Sequence, residues 1–320
     1  MKTKQNSLQR KNWSRIILNR RLEDFVMPLI IPGKSQIDFF LRTTKPFHNE
    51  RAVKDFFRIV LSYGPDYRPV KYGRSEPVKE LFDEKHLEKV ASAWLGGNDC
   101  TSEILESQYC LSQLMMKGRS SSKVTYFVSW RNWTDRILFN VIQTTIAKNF
   151  LKKGRQEMDR YVSLCNDLVC GFSPVHAEIY DFTSSIPCTA TESMLIPDDL
   201  SVRCPALKWR TYFGLPYINL LGKETILNAP CWKTEEIGDT IAIQLTESVF
   251  EDIPSELREK VVEYFEESVD PKIRAELGRG FLFRPYYASE KYDRKKKLVP
   301  EFPIRELFGK NLPEEFEHGL

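Results

Sequence analysis

Three clusters in this 320-residue sequence carry side chains able to do chemistry, and each is weighed first on spacing. Gly214 and the pair Gly222-Lys223 suggest a phosphate-cradling loop. That loop needs four residues between its glycines and a hydroxyl after the lysine, whereas seven intervene here and Glu224 follows. A glycine helix cap beside a surface lysine is the better reading. His176-Ala177-Glu178 matches the first half of a zinc-deaminase signature, in which the His holds the metal and the Glu moves protons for a bound water. The second half is missing, because neither Pro187-Cys188 nor Pro230-Cys231 is followed by the required second Cys. On a strand the two residues would share a face, so a partly exposed structural pair is expected. Asp66 with Asp83 and Lys85 resembles the carboxylate and lysine set of metal-dependent nucleases, yet Asp83 to Lys85 reads as a helix start, where acids are favoured.

The seven cysteines (100, 110, 165, 170, 188, 204 and 231) are odd in number and scattered, which fits reduced thiols, and Cys165 falls on the apolar stripe of a predicted helix. The four histidines lie far apart, and no serine sits in a nucleophile elbow. No catalytic, cofactor-binding or metal-binding residues are assigned. The expectation is a protein without enzymatic activity or cofactor.

The elements that would carry a site follow from periodicity. Ile37, Phe39 and Leu41 alternate as a strand. Asn49 opens a helix whose stripe is Val53, Phe56, Phe57, Val60 and Leu61, ending near Tyr63-Gly64. Residues 63–78, rich in Pro, Gly, Tyr and basic groups, read as a loop presenting a contact surface. A short helix is expected over 83–94, then strands marked by Val124, Tyr126, Val128 and Trp130 and by Ile137, Phe139 and Val141. Met158, Tyr161, Val162, Cys165, Leu168 and Val169 form one helical stripe with Gly171 as terminator, followed by a strand over 175–182. Later come a helix begun by Pro216 and closed by Gly222, a strand at Ile241, Ile243 and Leu245, and a helix opened by Pro254. The fold class is therefore α+β, with antiparallel sheets and packed helices in two lobes. Residues 1–34 form a basic arm, 35–184 the first lobe, 185–205 a linker or long loop, and 206–320 the second lobe.

With 42% apolar and 28% charged residues the chain should fold, and 47 basic against 44 acidic residues give little whole-molecule pull toward nucleic acid. Seven Lys or Arg and no acid lie in the first 22 residues, so nucleic-acid contact through that arm is the one such route. No secretory signal and no run near the ~20 apolar residues of a membrane span is seen, so the expectation is a cytoplasmic protein without membrane contact.

Phe39 to Phe47 with Tyr67 to Gly73, and Trp209 to Tyr217 with Leu221 to Pro230, resemble bacterial immunity proteins of polymorphic-toxin systems, of the immunity protein 52 type or the related type VI immunity family. The resemblance spans most of residues 36–305. It implies an α+β protein that binds and neutralises a cognate protein toxin in the cytoplasm without catalysis; the long arm departs from that pattern. Tyr67, Arg68, Tyr72 and Arg74 are the expected anchors, because Tyr, Trp and Arg dominate binding hot spots. Trp209, Tyr212 and Tyr217 admit two readings, as anchors of the same kind or as aromatics packed at a helix entry. The reading from a different class is a metal-dependent nuclease or nucleic-acid-associated defence protein.

Overall fold

The computed structural model describes residues 35–43, 45, 47, 49–95, 109–133, 140–181, 207–269 and 271. The basic arm and the linker at 185–205 lie outside them, as do Ile137 and Phe139. Ten strands form one sheet: β1 (Gln36–Thr43), β2 (Pro69–Gly73), β3 (Glu80–Leu81), β4 (Tyr109–Gly118), β5 (Thr125–Trp133), β6 (Asn140–Ala147), β7 (His176–Asp181), β8 (Arg210–Phe213), β9 (Lys233–Ile237) and β10 (Thr240–Gln244). Their order is β3-β2-β4-β5-β6-β1-β7-β8-β10-β9, and every pairing is antiparallel. The α+β class is as expected. The described residues before 185 and after 205 share this single sheet, because β7 pairs with β8, with Ile179 opposite Arg210 and His176 opposite Phe213.

Alternation along the strands divides the core between the two faces. Ile37, Phe39 and Leu41 point into the larger cluster with Ile142, Ile146, Ala177, Ile179, Tyr212 and Ala242. Helices α1 (Glu50–Ser62), α2 (Leu87–Trp94) and α4 (Arg155–Phe172) supply its other wall through Phe56, Phe57, Trp94, Tyr161 and Leu168. On the opposite face Phe213, Ile241 and Ile243 meet α5 (Leu215–Leu221), α6 (Lys223–Leu227) and α7 (Ser255–Ser268) through Tyr217, Ile226, Val261 and Phe265. The short helix α3 (Lys148–Leu151) follows β6 directly.

Local signals explain most of the boundaries. The Asn49 side chain accepts from the Ala52 amide at 2.8 Å, which satisfies an otherwise orphaned donor at the start of α1. That helix stops where Gly64 takes φ +89°, a conformation that costs other residues. Gly171, however, does not end α4. The cap is Ser173 at φ +37°, two residues later. A Cβ on Gly171 would lie 2.8 Å from Ile59 Cδ1, so this glycine lets α1 and α4 approach closely instead of terminating the helix.

Two further expectations change. Residues 63–78 contain a strand, since β2 pairs with β3, and with β4 through a register shift between Pro69 and Lys71. In β6 the deeply buried apolar residues are Ile142 and Ile146, while Val141 is half-buried, so the phase is opposite to that read from Ile137, Phe139 and Val141.

Candidate functional site

The seven anchors expected from sequence separate sharply once folded. Tyr67, Tyr72, Trp209, Tyr212 and Tyr217 are all buried, where a partner cannot touch them without rearrangement. The physical reason is that each finds apolar cover for its ring, and the polar tips of Tyr67, Trp209 and Tyr212 bond internally. Tyr67 donates its hydroxyl to the Glu157 carbonyl at 3.3 Å, and Trp209 donates Nε1–H to the Thr246 carbonyl at 3.0 Å. Tyr212 donates to Asn166 at 2.8 Å while receiving a bond from Arg210, and Tyr217 packs edge-on against Phe213 and His176. Tyr217 packs at the entry of the helix that follows β8, whereas Trp209 and Tyr212 pack into the larger cluster on the other face of the sheet.

Tyr72 and its neighbours place the surviving anchors at a sheet edge. Arg68 precedes β2 and pairs with Glu84 at 2.9 Å, its side chain 42% exposed. Arg74 follows β2, and its carbonyl accepts from Gln113 Nε2 at 3.1 Å. Between them Val70 is exposed, and across the hairpin Leu81, opposite Lys71, is 76% exposed. This edge thus exposes two large apolar side chains, Val70 and Leu81, with Arg68 just before β2 and Arg74 just after it. Sequence reasoning found the arginines and missed Leu81, which beside Phe82 reads equally well as a core residue.

A second concentration of polar groups lies on the middle of the sheet. Arg42 of β1 stands opposite His176 of β7, and Phe40 opposite Glu178, so all four share a face. The Arg42 guanidinium lies 3.2 Å from His176 Nδ1, 3.6 Å from Glu178 Oε1 and 4.2 Å over the Phe40 ring. A guanidinium only donates, so Nδ1 accepts and the imidazole proton is on Nε2. Burial, with Arg42 and then Lys208 nearby, holds His176 well below its usual range, consistent with a neutral ring. His176 Nε2 and Glu178 Oε2 are buried without a hydrogen-bond partner. The pair shares a face as expected, but both residues are buried and not partly exposed. β7 is paired on both sides, and Arg42 and Tyr217 pack against the pair. On the same face Asp38 is buried, and desolvation, followed by the nearby Asp181 and Glu178 charges, pushes its carboxyl up to about 7.

The residues of the nuclease reading are separately engaged. Asp66 accepts from Ser121 Oγ at 2.8 Å. Asp83 caps a single turn of 3₁₀ helix over Glu84–His86, accepting from the Lys85 amide at 2.9 Å and lying 2.7 Å from His86 Nδ1. The amide bond, then His86, holds its carboxyl below the usual range. Among the described residues no group of three or more His, Cys, Asp or Glu could hold a metal ion, and no helix is long and apolar enough to cross a membrane. Cys165, Cys170 and Cys231 are free, and burial raises the Cys165 thiol well above its ordinary value, which makes it inert packing.

No family model matches the chain, and no curated protein matches it. Among solved structures it is similar to Pseudomonas aeruginosa T6SS protein PA0821, at 12% identity and a TM-score of 0.48, over 73% of this chain and 76% of that one. A likeness that slight supports no argument about what the chain does.

Proposed function

We propose that this chain is a non-enzymatic immunity-type protein that binds a cognate protein toxin and neutralises it by occlusion. The observation that carries the reading is the β2–β3 edge, where Leu81 and Val70 are exposed and Arg68, half-exposed, precedes β2. Exposed apolar groups rimmed by Arg are what a protein partner desolvates, and such anchors concentrate binding energy. Arg68 and Val70 fall within Tyr67 to Gly73, one of the stretches that carry the immunity resemblance, while Leu81 lies beyond it. Cytoplasmic action is part of this proposal.

Co-expression with the toxic product of the gene immediately upstream tests it. Wild type is expected to restore growth. Leu81→Asp combined with Arg68→Ala should lower affinity by ~2 kcal/mol or more, roughly thirtyfold, and lose protection at matched expression. Full protection by the double variant, with its circular dichroism unchanged, would remove this edge from the interface.

A further inference from the structure

The turn between β4 and β5 meets the end of β6, which leads directly into α3 and the segment joining it to α4. The Ala147 amide donates to the Ser122 carbonyl at 3.2 Å, holding the turn of residues 119–123 against the last residue of β6. The turn closes on itself, with the Lys123 amide bonded to the Arg119 carbonyl at 2.9 Å and Lys123 at φ +52°. Arg119 and Lys123 are both exposed. Beside them Lys152, Lys153 and Arg155 are exposed on a ledge anchored by the buried Phe150 and Leu151. Lys153 lies 4.9 Å over the Phe150 ring and Lys152 5.3 Å over that of Phe250, so both ammonium groups lean on aromatic faces. Arg155 reaches Glu247 only at 3.9 Å, with both side chains largely in solvent. Among the described residues Arg119, Lys123, Lys152 and Lys153 make no ion pair.

These cations are held by backbone bonds and ring contacts instead of by carboxylates, which leaves their field available to an incoming anion. The surroundings decide which kind. The Asp66 carboxylate sits inside the patch on Ser121, Glu157 lies one turn along α4, and Glu247 faces Arg155. A continuous phosphate backbone would meet these acids. A protein face with its own interspersed charges can avoid them.

We infer that this shoulder docks the acidic face of a protein partner. It is continuous with the proposed edge, since Gly118 pairs with Pro69, next to Arg68. The inference rests on the binding reading above and adds the sign of charge that the partner presents.

The test uses the full chain and immobilised poly-glutamate, with a DNA duplex of equal charge in parallel, from about 20 to about 300 mM salt, across which screening shortens severalfold. Wild type should bind poly-glutamate at low salt and bind the duplex no better. Arg119→Glu with Lys123→Glu and Lys153→Glu should weaken poly-glutamate binding about tenfold or more, and the same three changes to Gln should fall between. Lys260→Glu, an exposed site on α7, should match wild type. Equal binding by both triple variants, no binding by wild type, or preference for the duplex would each overturn the inference. Failure of the toxin reading would register separately, as absent growth protection.

Discussion

Arg210→Ala is expected to lower the stability of the folded chain by ~3–5 kcal/mol, the cost of breaking a buried, fully bonded charge cluster from one side. Arg210 is 1% exposed and sits at the start of β8. Its Nη2 donates to Glu235 of β9 at 2.6 Å, Nη1 to Gln244 of β10 at 3.0 Å, and Nε to the Tyr212 hydroxyl at 3.0 Å. Tyr212 passes the network on to Asn166 of α4. One guanidinium therefore ties three strands to the helix that roofs the larger core. Truncation takes the donor from the buried Gln244 side-chain carbonyl, leaves Glu235 with Lys233 as its partner, and opens a cavity between paired strands. Urea unfolding of the full chain measures the loss. A change under about 1 kcal/mol would show that the network contributes geometry without stability.

The second large effect is a pH dependence. Asp38 titrates at about 7 in the folded chain against 3.8 ordinarily, chiefly because burial disfavours its charge. Between those two values the native state holds a proton that the unfolded chain has released. The stability from this group is therefore complete below about pH 4, is lost as pH rises through 7, and stays lost above it; the span amounts to roughly 4 kcal/mol. His176 acts in the opposite sense at lower pH, because its neutral form is the buried one. That contribution is shared by wild type and variant, so the decisive quantity is their difference. Asp38→Asn should be close to wild type at pH 4 and markedly more stable at pH 8. A difference that does not grow with pH would mean that Asp38 is charged throughout.

Elements with a local cause were legible in the sequence. The alternation of Ile37, Phe39 and Leu41 marks β1, Asn49 marks the entry of α1, and Pro216 with Gly222 brackets α5. Elements whose cause is a distant partner were not. Val70-Lys71-Tyr72 is too short and too close to prolines to read as a strand, and becomes one only because β4 lies beside it. The same holds for the candidate site. Tyr67, Tyr72 and Trp209 have the chemistry of an interface anchor and equally that of a core residue with one satisfied tip, and spacing does not separate the two. Arg210 went unnoticed because its partners lie on strands 25 and 34 residues away, and only the register brings them together. His176 and Glu178 were placed on a common face, but their contact with Arg42, 134 residues from His176, comes only from the pairing of β1 with β7.

The central claim is occlusion without catalysis, and the dose dependence of protection tests it most directly. Purified chain would be titrated against a fixed amount of the upstream gene product while that product's toxic activity is followed. Occlusion predicts that inhibition completes near one chain per toxin molecule and reverses when the complex is dissociated. Complete protection at a small fraction of that ratio, persisting after the chain is removed, would mean that it turns over a substrate and would contradict the account.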